Sequence, residues 1–120
     1  VGFFDPATGT QLSGCSGVTQ FRSAIDGTMR SLNRANVTAD AEYRAVQIAN
    51  GMRAQGTIIY SIGLGNSINQ DFLQQIANDP ASPSYNPNQP MGDAVFAPAA
   101  SDLQAVFQAI ASKILLRLTR

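Results

Sequence analysis

The 120-residue chain contains no histidine and no tryptophan, and a single cysteine. Without histidine, the usual route to activating a serine or cysteine nucleophile, and to acid-base catalysis near neutral pH, is missing. With Cys15 alone, no internal disulfide can form and paired-cysteine metal spacing is excluded. Charge is sparse as well: 13% of residues are charged, and eight basic and eight acidic side chains cancel. The broad positive field that nucleic acid or anionic lipid would require is therefore lacking, which argues against a nucleic-acid partner. No apolar run approaches the roughly 20 residues of a membrane span, and the N-terminus lacks the charged-then-apolar order of a signal peptide. Any export signal or anchor would therefore lie outside this chain, and a first residue of Val1 rather than methionine fits a processed or cut piece.

What is present is a chain of 44% apolar residues, the composition of one globular domain. Its densest cluster of β-formers is Thr57 to Gly65, TIIYSIGLG, between glycines. Ile58, Ile59, Tyr60 and Ile62 run almost unbroken rather than alternating, as in a parallel strand covered by helices on both faces. Gly56 stops the helical pattern before it, and Gly63 and Gly65 permit a tight turn after it. Helix, strand, glycine turn and helix in that order make half of an α/β unit.

Taken in order, Val1 to Phe4 is a short apolar stub, and Asp5, Pro6, Thr8 and Gly9 favour a turn, so the segment through Gly17 reads as loop. Phe21, Ile25, Met29 and Leu32 recur at helical spacing, which predicts a helix over about 19–33 capped by Ser16 or Thr19 and weakened by Gly27. A second helix, about 38–55, would start at Thr38 with Asp40 and Glu42 in its first turn. Its inward stripe would be Ala41, Ala45, Ile48 and Met52, and Gly56 would stop it. After the strand at 57–64, Asn69 caps a helix over 69–78 whose Phe72, Leu73, Ile76 and Ala77 face inward, and Pro80 closes it. Residues 80–93 hold four prolines with Asn, Ser and Gly and read as a surface loop, with Tyr85 pinning it by its ring. A short strand at 94–97 ends at Pro98. Ser101 and Gln104 make a capping box for a last helix over 101–119, with Leu103, Val106, Phe107, Ile110, Ile114 and Leu118 as its stripe. Lys113, Arg117 and Arg120 fall in its last turns, where cations complement the helix dipole.

These residues carry a family resemblance. The run from Ala45 to Pro80, AVQIANGMRAQGTIIYSIGLGNSINQDFLQQIANDP, resembles the later half of a von Willebrand factor A (VWA) domain. There a helix leads into a strand of the type I-Y-S-I-G-L-G and then into a helix carrying L-x-x-I-A. Ala94 to Ala97 stands where that family has its last strand, and Ser101 to Arg120 where it has its final helix. The same pattern occurs in the VWA-like region of TadG-type pilus-assembly proteins of bacteria. The resemblance implies a three-layer, Rossmann-like α/β fold, incomplete here. Residues 1–120 would form a single partial domain, with 1–37 an N-terminal loop and helix, possible as an insertion, and 38–120 the family-like part. It implies a non-enzymatic protein-protein interaction or adhesion module, in a bacterial surface or pilus-assembly protein. The setting would be extracytoplasmic, tethered to the membrane through a segment outside this chain.

Candidate chemistry is thin. Gly63 and Gly65 after a strand suggest phosphate binding, but the third glycine of G-x-G-x-x-G would fall at Ile68. A fragment of a nucleotide- or small-molecule-binding α/β enzyme remains the alternative reading. Asp71, Asp79, Asp93 and Asp102 are scattered, with no spacing that makes a carboxylate pair. VWA domains usually hold Mg²⁺ through D-x-S-x-S, a Thr and an Asp, and this sequence has no D-x-S-x-S and no T-D-G. Asp26-Gly27-Thr28 is no substitute, since it falls inside a helical pattern. No metal, cofactor or catalytic residue is therefore assigned to this chain, and Mg²⁺ is implied only for a longer protein whose preceding half carries the motif. By the rule that ligands bind at the carboxyl ends of strands in open α/β sheets, the turn Gly65, Asn66 and Ser67 is the candidate ligand face for a protein partner.

Overall fold

The computed structural model describes residues 17–119. The stub, the Asp5 to Gly9 turn, the Ser16 cap and Cys15 lie outside the described residues. The chain divides into two compact units, Val1–Arg44 and Ala45–Arg120, with one helix running through the boundary.

In the first unit the helix expected over 19–33 is instead a β-hairpin. Strands β1 (Gln20–Arg22) and β2 (Met29–Ser31) pair antiparallel with Phe21 opposite Arg30. The reason is the turn between them. Gly27 takes φ +73°, a left-handed conformation that glycine adopts without steric cost. Asp26 accepts hydrogen bonds from the amide and the hydroxyl of Thr28, at 3.0 and 2.7 Å, and pairs with Arg30. The Ser23 amide donates to Thr28 O, which closes the loop. An Asp-Gly turn of this kind overrides the helical spacing of Phe21, Ile25, Met29 and Leu32.

Helix α1 (Arg34–Ala54) begins four residues earlier than Thr38. Asn33 is its cap: Asn33 Oδ1 accepts from the Asn36 amide at 2.9 Å, and Asn33 O accepts from Val37. Thr38, Asp40 and Glu42 are thus interior to the helix, and Asp40 is buried. Beyond the unit boundary the inward residues are Val46, Ala49 and Arg53, whereas Ile48 is 65% exposed and Met52 is exposed too. The buried face is therefore turned by one residue, about 100°, from the apolar stripe. Arg53 causes the turn, because its guanidinium is drawn inward to four acceptors. The helix ends with Gly56 at φ +88°, the Gly56 amide on Arg53 O and the Thr57 amide on Met52 O, a Schellman pattern.

The second unit is built on two parallel strands, β3 (Tyr60–Leu64) and β4 (Asp93–Ala97), in register Tyr60 to Asp93 through Leu64 to Ala97. Residues 57–59 of the expected strand do not pair, because Thr57 is committed to closing α1. Helix α2 (Gln70–Ala77) packs on one face of this pair. Ser61 Oγ donates to Leu73 O at 2.8 Å, and a Cβ at Gly63 would meet Leu73 and Phe96 at 2.9 and 3.0 Å. Asn69 caps α2 as expected, accepting from the Phe72 amide. Its end is set by Asn78, left-handed at φ 56°, before Pro80 is reached.

Helix α3 (Leu103–Leu118) covers the opposite face, where Leu103, Val106 and Ile110 meet Tyr60, Ile62, Val95 and Ala97. A short 3-10 turn, Ala100–Asp102, precedes it. Asp102, not Ser101, supplies the side-chain acceptor there, to the Ala99 amide at 3.1 Å. The fold of this unit is thus mixed α/β, with a helix on each side of a short parallel sheet. Among the described residues, no strand pairs with the other edge of β3 or of β4.

The stripe expected on α3 is only half inside. Phe107 is 54% exposed, Ile114 41% and Leu118 78%. Arg117 lies over the Tyr60 ring, 5.6 Å from its centroid, and donates to Met91 O at 2.8 Å. Lys113 pairs with Asp93. The Phe107, Ile114 and Leu118 arc lies farther round the helix, turned away from the buried Val106 and Ile110. Phe107→Ala is accordingly expected to cost under about 1.5 kcal/mol, and Ile110→Ala about 2 to 5 kcal/mol. Denaturant melts check the order, which a larger loss at Phe107 would reverse.

Candidate functional site

The expected ligand face is a real turn at the carboxyl ends of β3 and β4. Gly65 stands at φ +94° and its amide donates to Ala97 O at 2.9 Å, which extends the parallel ladder by one bond. Asn66 and Ser67 are exposed beyond it. The positive φ explains why glycine is needed at 65. Among the described residues no three His, Cys, Asp or Glu converge as metal ligands anywhere.

The second unit has its cleft at the opposite end of the sheet, where the strands begin. An open cleft of about 580 Å³ lies between Asp79 to Ala81 at the end of α2, Met91 to Asp93 at the start of β4, and Lys113, Leu116 and Arg117 of α3. Its polar groups are already engaged. Asp79, which is buried, accepts from the Ala81 and Ala94 amides, both at 2.8 Å, and so ties the loop to β4. Lys113 is held by Asp93, and Arg117 by Met91 O. Pro80, Ala81, Met91 and Leu116 supply apolar walls. This arrangement presents neither a nucleophile beside a base nor a set of donors aimed at one point.

The loop over 80–93 is pinned by side chains that the sequence pattern did not single out. Asn78 donates through Nδ2 to Asn86 O at 2.9 Å and Pro90 O at 3.2 Å, while its Oδ1 accepts from the Asn86 amide at 2.8 Å. Arg53 reaches Gln89 Oε1 at 2.9 Å, the carbonyls of Gln75 and Ile76, and Asn50 Oδ1. Its counter-charge is the negative end of the α2 dipole. Burial lowers the Arg53 pKa from its ordinary value. Tyr85 is half-buried in this loop, with its amide on Ser82 O. The sequence signal for the pinning was Asn-Asp-Pro directly after an amphipathic helix, since asparagine tolerates the left-handed conformation that ends helices.

The first unit has a smaller cleft of about 230 Å³ bordered by Phe21, Leu32, Val37, Asp40 and Arg44. Asp40 is its one buried charge. It accepts from Ser23 Oγ at 2.9 Å and the Ala24 amide at 2.6 Å through one oxygen, and from Arg44 Nε at 2.8 Å through the other. Arg44 first, and then the Ala24 and Ser23 donors, hold its carboxyl below the ordinary carboxylate value against the opposing effect of desolvation. In the hairpin turn the Thr28 hydroxyl, then Arg30 and the Thr28 amide, bring Asp26 down to about 2 from 3.8. Both carboxyls are depressed in the folded state, so what they contribute is complete above the ordinary carboxylate value and is lost as pH falls through the folded one, about 2 for Asp26. The Ala24 amide resonance should therefore titrate with the Asp40 carboxyl, with its midpoint below the ordinary carboxylate value. A midpoint at or above that value would contradict the Asp40 contact.

Comparison of the chain with protein-family models, with curated proteins and with solved structures finds no match. Among the described residues no helix is long and apolar enough to cross a membrane.

Proposed function

We propose that the chain is the later portion of a VWA-like domain of Rossmann-like architecture and acts as a non-enzymatic protein-protein interaction module. The setting we propose is a bacterial surface or pilus-assembly protein of the TadG type. The reading is carried by one observation: the parallel β3 and β4 pair, with α2 on one face and α3 on the other, in the order helix, strand, helix, strand, helix. That is the order in which the family resemblance places these segments. In this reading the unpaired edge of β3 receives a parallel strand from the preceding part of the parent polypeptide, and the Gly65, Asn66 and Ser67 turn faces the protein partner. Polar groups already spent on one another in the cleft, together with the lack of histidine, fit an interaction role better than a reaction.

Hydrogen exchange tests the placement. The Gly65 amide bonds to β4, so alternation along the strand turns the Ser61 and Gly63 amides the same way and those of Ile62 and Leu64 to the open edge. In this chain alone, the Ile62 and Leu64 amides should exchange quickly. In the parent polypeptide they should slow by at least about 100-fold, the factor that a local opening free energy of about 3 kcal/mol would produce. Equal, fast exchange in both would overturn the proposal.

A further inference from the structure

We draw no further inference here: the strongest candidate, the exposed apolar arc of α3 formed by Phe107, Ile114 and Leu118, carries nothing because nothing in the structure shows what covers it.

Discussion

Gly92→Ala is expected to destabilise the second unit by at least about 3 kcal/mol, the upper end for forcing extra atoms into a packed site. Gly92 is buried immediately before β4, and a Cβ there would overlap the carbonyl oxygens of Ile59 and Ala77. Both obstacles are backbone. One belongs to the lead-in to β3 and the other to the last residue of α2, so neither can rotate aside as a side chain would. Relief would require separating the strands where Tyr60 stands opposite Asp93. The glycine is needed for lack of volume and not for a left-handed backbone, since its φ is not positive. Gly51 provides the control: it lies within α1, a Cβ added there would meet nothing within 4 Å, and Gly51→Ala should stabilise by about 0.5 to 1 kcal/mol. Paired urea melts read both effects. A Gly92→Ala variant within about 1 kcal/mol of the parent would mean that the close approach does not exist.

Arg53→Met should cost about 3 kcal/mol, although methionine replaces most of the volume. The loss is polar. The Ile76 carbonyl at the end of α2, Gln89 Oε1 and Asn50 Oδ1 accept from this one guanidinium, which is 3% exposed, while the Gln75 carbonyl accepts from it and from the Asn78 amide as well. Removing the donor leaves the part-buried Ile76, Gln89 and Asn50 oxygens without it, and each such acceptor costs about 1 to 3 kcal/mol when no water replaces the bond. Arg53→Lys should recover less than half of the loss, because one ammonium cannot reach acceptors spread around a planar fork. The readouts are the urea midpoint and the rate of proteolysis within residues 80–93, which should rise in both variants. If lysine restored both fully, charge alone would suffice and the fork geometry would be irrelevant.

The parts of this fold that were legible in the sequence are those where local chemistry and tertiary partner agree. The apolar run ending in Gly63 and Gly65 is β3, Asn69 caps α2, and the short apolar segment before Pro98 is β4. The hairpin was illegible by periodicity because its strands have three residues each, too few to establish alternation, while Phe21, Ile25, Met29 and Leu32 imitate a helix. Asp26-Gly27 was the signal against that reading. On α3 the apolar arc is wider than two strands can cover, so spacing alone could not say which half is inside. The choice is made by Lys113 meeting Asp93 and Arg117 meeting Tyr60, contacts between distant segments. Along α1, the hydrogen-bonding demand of Arg53 outweighed the apolar stripe of Ile48 and Met52. The Gly65 turn could be placed from the strand that precedes it. The cleft at the other end could not, since Asp79, Met91 and Lys113 come together there from three separate stretches.

The tie at Asn78 also bears on how quickly this unit can form. Parallel strands cannot be joined by a tight turn, so β3 and β4 meet only after the intervening helix and loop have been closed, and closing a longer loop costs more entropy. Asn78 divides that closure into two smaller ones. α2 follows β3 in the chain, and the asparagine that ends it holds Asn86 and Pro90, which brings the chain to within a few residues of Asp93. A single amide side chain thereby shortens the loop that the parallel pairing of β3 and β4 has left to close.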